Sequence, residues 1–274
     1  PGKASFENLA LARKLYRQHF TKYAYYVNAF PAYATGQQLS GDSNEISYDD
    51  YLDSLMSTIS PQMLSYDYYG LNKDFPGVSD KYFEQIVTSK KFADKYKVPF
   101  WPFVQTCKFT NRTRKPNAVD MYWQVGANLV FGAKAIQYFC YMTPYEAQDW
   151  EGNLIDANGN RTDVYYYCQT VNEFIADVDE ILMKSTLVDM MQYGSSPAPI
   201  PEDLSLVTSS REVTSIDTES NLLVGVFNHD GRTALYVFNN DFENKANATI
   251  NFVTKVDADI YDFSNKSSIK GQTS

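Results

Sequence analysis

The sequence predicts an α/β fold of the (β/α)8 TIM-barrel type, with only the second half present as about four βα units, followed by a small antiparallel β-sandwich. Apolar runs alternate with amphipathic segments, and the runs start roughly 35–40 residues apart, the spacing of strand–helix units. A closed eight-stranded barrel takes about 200–250 residues, whereas residues 1–185 offer four strands. We therefore predict a partial barrel over residues 1–185 and an accessory domain over residues 186–274.

Four short runs of aromatic and β-branched residues, each bounded by residues that break regular structure, are predicted as buried strands. They are Tyr23–Phe30, Met63–Tyr69, Val98–Gln105 and Ala135–Met142. Because helices alternate with these strands, the strands are expected to be parallel and joined by crossover helices. The sequence has no GxGxxG, GxxxxGK[ST] or GxSxG motif, so the Rossmann, P-loop and hydrolase-elbow folds are disfavoured.

Helices are predicted before, between and after these strands, because apolar residues recur there at helical spacing. They cover about Phe6–Phe20, Ser47–Ile59, Asp80–Tyr96, Asn117–Phe131 and Asp163–Lys184. Ser47 and Asn117 have side chains suited to N-caps, and Gly132 is suited to end the fourth helix.

The residue pattern changes after Lys184, and this change predicts the second domain. Residues 194–201 form a connector rich in Pro and Ser. Short alternating strands are predicted beyond it, separated by turn residues, at Leu222–Asn228, Ala234–Asn239, Ala248–Val253 and Ala258–Phe263.

The overall charge limits the partners. The chain carries 24 Lys and Arg against 33 Asp and Glu, a formal net charge of −9. Nucleic-acid binding relies on cationic side chains that neutralise phosphates, so no nucleic acid is expected as a partner. No apolar run is long enough to span a membrane, and an anionic membrane surface is also disfavoured. With 3 Cys and 2 His lacking ligand spacing, neither a metal nor a cofactor is predicted.

Polar residues near the ends of three predicted strands are the candidate site. Asn28, Asp67 and Gln105 interrupt apolar runs, and a buried polar group needs a partner or a function. Strand ends of a barrel meet at one rim, so these side chains are expected to lie together there. Asp67 is the candidate catalytic carboxylate. The alternative is that all three merely bond to backbone or to neighbouring loops.

Aromatic residues are abundant, with 22 Tyr, 17 Phe and 3 Trp. An aromatic ring can stack on a sugar, and a tyrosine hydroxyl adds a hydrogen bond. The predicted substrate contacts are therefore Asn28, Tyr66, Tyr68, Gln105, Tyr138, Tyr141 and Trp150. Ordinary core packing is the alternative for Tyr138 and for the neighbouring aromatic Trp101, and it is the favoured interpretation for Trp101.

Several segments together resemble a group of bacterial glycoside-hydrolase-like proteins over roughly residues 1–185. They are Tyr26–Pro31, Leu64–Tyr69, Val98–Trp101, Met121–Val125, Gly132–Tyr141 and Asn153–Gly159. These proteins are similar to clan-A retaining glycosidases, and the resemblance implies that the four strands are numbers five to eight of the barrel. The acid/base would then precede Pro1 and lie outside this sequence. The residue after strand seven would be Gln105, whose amide cannot act as a nucleophile.

Three hypotheses follow from the residues and the resemblance. The first is a glycoside hydrolase acting on a β-linked glycan through paired carboxylates, with Asp67 or a carboxylate of the loop 146–151 within this chain. The second is a non-catalytic carbohydrate-binding protein on a degenerate or truncated barrel. The third is a structural scaffold. The expected partners are an oligo- or polysaccharide and either a second copy of the chain or the missing N-terminal half-barrel. The resemblance favours export to the cell surface or medium, although the sequence contains no signal peptide.

Overall fold

The structure is a computed structural model that describes residues 1–108, 111–144, 146, 150–263 and 267–272. Six α-helices are described: α1 (Phe6–His19), α2 (Gly36–Ser40), α3 (Tyr48–Thr58), α4 (Tyr82–Tyr96), α5 (Ala118–Val130) and α6 (Asp163–Lys184). The strands of the first two-thirds of the chain are β1 (Asn28–Ala29), β2 (Leu64–Asp67), β3 (Phe100–Gln105), β4 (Cys107–Lys108), β5 (Gln137–Phe139) and β6 (Glu151–Gly152). Those of the last third are β7 (Thr186–Tyr193), β8 (Val213–Asp217), β9 (Leu222–His229), β10 (Arg232–Asn239), β11 (Thr249–Phe252), β12 (Asp257–Asp262) and β13 (Ser267–Gln272).

The chain has a mixed α/β fold with one parallel sheet and several antiparallel sheets. The parallel sheet has the order β1-β2-β3-β5, and each neighbouring pair is parallel. Its strands follow one another in chain order with helices between them, as the alternating sequence pattern predicted. The first predicted strand is shortened to two residues, because Tyr23 and Tyr26 lie largely exposed outside the ladder.

The helices begin where the sequence offers caps. The Ser47 hydroxyl accepts a hydrogen bond from the backbone N–H of Asp50, at the start of α3. Asn117 and Asp120 form a reciprocal capping box at the start of α5. Both predicted N-caps are confirmed, and α6 has the predicted bounds.

The two faces of the parallel sheet differ in burial. The side chains of Ala29, Leu64, Tyr66, Phe100 and Val104 lie on one face and are buried. This face packs against helices, since α4 contacts β2 and α5 contacts β3. The opposite face is called the open face, because all but two of its residues are only partly buried. It consists of Asn28, Ser65, Asp67, Trp101, Phe103, Gln105, Gln137 and Phe139, of which Ser65 and Gln105 are fully buried.

Antiparallel sheets occupy the last third of the chain, as predicted. One has the order β10-β9-β7, and two further pairs are β11-β8 and β12-β13. β7, β8 and β13 lie outside the four predicted strands. Side chains of β7, β8 and β9 share a second apolar cluster, whereas Met190, Leu223 and Phe238 belong to the main core. The division after residue 185 and the sandwich arrangement stay predictions.

Helix α5 joins the two kinds of sheet. The Trp123 indole is buried, stacks on Phe242 at 4.7 Å between ring centroids, and donates from Nε1 to the Asn240 Oδ1 at 3.1 Å. A Cβ at Gly126 would lie only 2.5 Å from the Phe238 ring, so a glycine is needed where α5 meets β10. This packing fixes α5 between the parallel sheet and β10.

Candidate functional site

Asp67 lies at the carboxyl end of β2 on the open face. Its Oδ1 accepts a hydrogen bond from the Asn28 Nδ2 at 2.5 Å, across the β1–β2 ladder. Burial raises the pKa of the Asp67 carboxyl, against the opposing effect of the Asn28 hydrogen bond. The structure thus brings together two of the three polar residues that the sequence predicted at one rim.

A hydrogen-bonded chain orients the Asn28 amide. Its Oδ1 accepts from the Ser65 Oγ at 2.8 Å, and Ser65 in turn accepts from the Gln137 Nε2 at 3.0 Å. The Tyr26 hydroxyl lies 2.9 Å from the Ser65 Oγ. Side chains from β1, β2 and β5 therefore form one polar layer that ends at the Asp67 carboxyl.

The sequence interpretation missed Ser65 and Gln137. Ser65 lies two residues before Asp67, so the alternation of a strand places both side chains on the same face. The predicted parallel pairing would have placed Gln137 on that face as well. The polar layer could therefore have been predicted by applying strand alternation to Asp67 and then to the paired residues of the neighbouring strands.

The charge of Asp67 also acts on two further tyrosines. The negative charge of Asp67 adds to burial in raising the pKa of Tyr33 and of Tyr69, which places both phenols near the carboxylate. Neither residue is among the predicted substrate contacts, although Tyr69 directly follows the predicted group of Tyr66, Asp67 and Tyr68.

An aromatic wall runs from Tyr69 to the loop after β5. The ring of Phe139 lies 5.1 Å from that of Tyr69 and 5.9 Å from that of Trp150, between centroids. Trp150 also lines a cleft of about 370 Å³ with Lys115, Asp156, Asn158 and Thr162. Aromatic faces beside acidic, amide and hydroxyl groups match the mixed surface of a sugar.

Gln105 is not part of the exposed rim, which corrects the expectation that it joins Asn28 and Asp67 there. The residue is fully buried. Its Oε1 accepts from the Leu71 N–H at 3.3 Å, and its Nε2 donates to the carbonyls of Cys107 and Arg114 at 2.9 and 3.1 Å. The amide holds together the segments that follow β2 and β3, and it has no exposed atom for a ligand.

Tyr66, Tyr68 and Tyr138 are also directed away from the open face. The hydroxyls of Tyr66 and Tyr138 donate to Asn128 of α5 and Asn172 of α6, at 3.0 and 2.7 Å. The Tyr68 hydroxyl lies 2.7 Å from the Ser79 Oγ. These partners correct the expectation that the three hydroxyls point to the rim, because strand alternation turns them to the helix side.

The remaining candidates lie beyond β5. Tyr141 is 63% exposed, and Trp150 is half-buried against Phe139. In the loop with alternative carboxylates, Glu151 pairs with Lys108 and Glu146 is exposed. Residues 147–149 lie outside the described residues.

Further features concern metals and membranes. In the part of the chain that the structure describes, no group of three or more His, Cys, Asp or Glu side chains is arranged to hold a metal ion. None of the described helices combines the length and the apolar character needed to cross a membrane.

Comparisons with known proteins include a distant structural similarity to a solved structure. No protein-family model matches the chain, and no curated protein matches it. A beta-galactosidase from the psychrophilic Marinomonas ef1 has a crystal structure with a TM-score of 0.46 and 12% sequence identity to this chain. The match covers 66% of this chain and 28% of the beta-galactosidase chain, so this chain spans little more than a quarter of that structure.

Proposed function

We propose that the chain is part of a glycoside hydrolase for a β-linked glycan, with Asp67 as the carboxylate that this chain supplies. The observation that carries the proposal is the half-buried Asp67 at the carboxyl end of a parallel strand, oriented by Asn28. In (β/α) folds this edge of the sheet is where ligands bind. The aromatic wall from Tyr69 to Trp150 supports a carbohydrate as the ligand, since sugar rings stack on aromatic faces.

The environment of Asp67 suits proton transfer to a glycosidic oxygen. Burial raises the pKa of this carboxyl, so its protonated form persists closer to neutral pH than that of an ordinary aspartate. The hydrogen bond from Asn28 to Oδ1 restricts rotation of the carboxyl group. A glycosidase needs such a group as a general acid, opposite a second carboxylate.

The second carboxylate is proposed to come from outside the described residues. Burial, and not the charge of a neighbouring carboxylate, is the leading cause of the raised pKa of Asp67 among the described residues. Retaining and inverting mechanisms need a partner at roughly 5 Å or 6.5–9.5 Å. A protein that lacks such a partner would match the second candidate, a carbohydrate-binding protein that does not cleave its ligand.

We infer that the sheet is half of a (β/α)8 barrel whose interior includes the open face. The polar layer and the half-buried rings of Trp101 and Phe103 support this, because the interior of a closed barrel is filled by side chains. The other half would come from an N-terminal segment or from a second copy of the chain. Analytical ultracentrifugation separates these sources, since a second copy gives a stable dimer and an N-terminal segment leaves this chain monomeric.

The central experiment titrates the full-length protein, with both halves of the proposed barrel present, with β-linked oligosaccharides and assays it on aryl β-glycosides. Asp67→Asn is expected to lower turnover at least about 100-fold with little change in affinity, since it removes a general acid. The control is Asp49→Asn on α3, an exposed carboxylate paired with Lys91 on the helix side. Its turnover and affinity are expected to equal those of the wild type.

The outcomes distinguish the two candidate functions. Wild-type binding without turnover, weakened by Asp67→Asn, replaces the hydrolase with the binding protein. Turnover that survives Asp67→Asn removes Asp67 from the reaction. A wild-type chain that neither binds nor cleaves any β-linked glycan of the panel overturns both proposals.

A further inference from the structure

Two of the three cysteines meet beside the carboxyl ends of β3 and β5. Cys107 lies in β4, two residues after the end of β3, and Cys140 follows β5 directly. Gln105 and Phe139 are paired across the β3–β5 ladder, so the chain carries both thiols to the same end of the sheet. The Cys107 Sγ lies against the carbonyl of Phe139, the residue that directly precedes Cys140, and each thiol influences the pKa of the other.

The two thiols differ in access to solvent. Cys107 is fully buried, with its Sγ 3.8 Å from the Phe139 carbonyl oxygen. Cys140 is half-buried, and its Sγ lies 3.1 Å from the Asn153 Oδ1 and 3.2 Å from the Met142 carbonyl oxygen. A reagent in solvent therefore reaches the Cys140 thiol before the Cys107 thiol.

Both groups are protonated at neutral pH. Burial raises the pKa of Cys107 to about 12, and burial also raises the pKa of Cys140. Because the thiolate is the reacting form, spontaneous oxidation of the pair is slow and the two cysteines rest as free thiols.

We propose that Cys107 and Cys140 are an oxidation site, which a small disulfide such as oxidised glutathione converts into an intramolecular disulfide bond. The Cys140 thiolate attacks one sulfur of oxidised glutathione, forming a mixed disulfide and releasing one glutathione thiolate. The Cys107 sulfur then attacks the Cys140 sulfur and displaces the second glutathione. The two cysteines are oxidised, the oxidant is reduced to two glutathione molecules, and the two thiol protons pass to them.

The bond would tie the end of β3 to the segment that leads to Tyr141 and Trp150. It closes a loop that contains the whole of α5, and closing such a loop lowers the conformational entropy of the unfolded chain. Oxidation is therefore expected to raise the thermal midpoint of the full chain by roughly 5–10 °C.

The test oxidises the full-length chain with oxidised glutathione and maps its cysteines by peptide mass spectrometry. The expected wild-type product is a Cys107–Cys140 cross-linked peptide, with Cys168 still free and the thermal midpoint raised. Cys168→Ser, in the buried face of α6, is the matched control and is expected to form the same bond. Cys107→Ser is expected to stop at a mixed glutathione disulfide on Cys140, and Cys140→Ser to remain reduced.

Three results would overturn the proposal: a wild-type chain that keeps three free thiols, one that accumulates only the mixed disulfide, or one that forms disulfides between chains. The mapping of the wild-type chain decides the question even where a serine variant fails to fold. Because no sugar is involved, the outcome is independent of the proposed hydrolase.

Discussion

The buried ion pair between Arg114 and Asp120 is expected to be a main determinant of stability at the candidate site. Both side chains are almost fully withdrawn from solvent, at 9% and 0% exposed. The guanidinium donates to both carboxylate oxygens, at 2.5 and 3.2 Å. It also donates to the carbonyls of Asn72 and Gly77, in the segment after the strand that carries Asp67.

The perturbation is Asp120→Asn, which keeps the shape of the side chain and removes its charge. The Arg114 guanidinium would then remain buried with carbonyl dipoles as its partners and no countercharge. Removing one partner of a buried pair typically costs about 3–5 kcal/mol. We expect a loss in that range, because the guanidinium cannot reach water without breaking its bonds to Asn72 and Gly77.

Urea denaturation followed by tryptophan fluorescence measures the loss as a fall in midpoint at unchanged slope. The control is Asp49→Asn, which breaks the exposed pair with Lys91 and is expected to cost less than about 1 kcal/mol. A double-mutant cycle with Arg114→Met isolates the pair, and the double variant should lose less than the sum of the single variants. A cost below about 1 kcal/mol for Asp120→Asn would refute the reasoning and show that the carbonyls alone suffice for the guanidinium.

Four further predictions concern the site and its support. Since burial raises the folded pKa of Asp67 above its usual value of 3.8, stability falls as pH rises through the folded pKa, so Asp67→Asn should raise the thermal midpoint at pH 7 and lose this advantage near pH 4. Asp156→Asn should lower the thermal midpoint at pH 7, because hydrogen bonds led by the Asn160 backbone N–H lower the pKa of Asp156. Shifts of the midpoint in the same direction for the two variants would contradict this pair of predictions. Trp123→Phe should cost about 1–3 kcal/mol in urea, by leaving the buried Oδ1 of its partner Asn240 without a donor; an unchanged midpoint would mean that the indole bond contributes nothing. Asn117→Ala should cost about 1 kcal/mol through the lost N-cap of α5, a loss that circular dichroism melting detects.

The sequence predicted the parallel sheet and the long helices because their signals are local. Ser47 and Asn117 cap helices through hydrogen bonds three residues away, so a short stretch of sequence contains both partners. β7 was missed because a β-bulge between Leu187 and Asp189 breaks the alternation that identifies a strand. The short helix α2 was missed although Thr35 and Gln38 form its capping box, because the helix is too short for an apolar period.

The candidate site was predicted only in part, again because the sequence pattern reveals local signals and not contacts with distant loops. Asn28 is paired with Ser65 across the parallel ladder, and Asp67 lies two residues further along β2 on the same face, an arrangement that the strand pattern implies. The fate of Gln105 depends on backbone groups at Leu71, Cys107 and Arg114. Those groups belong to loops that no strand or helix pattern places. A polar residue at a strand end therefore predicts an interaction, but not whether its partner is a ligand or a loop.

The orientation of Asp67 depends on more of the sheet than on its own strand. The Asn28 amide can donate to Asp67 only when its Nδ2 points toward the Asp67 carboxylate. The Ser65 hydroxyl favours this orientation of the amide because it donates to the Asn28 Oδ1. The Ser65 oxygen in turn accepts from the Gln137 Nε2 of β5 and lies 2.9 Å from the Tyr26 hydroxyl. A chain of hydrogen bonds thus runs from Gln137 on β5 through Ser65 and Asn28 to the Asp67 carboxylate on β2.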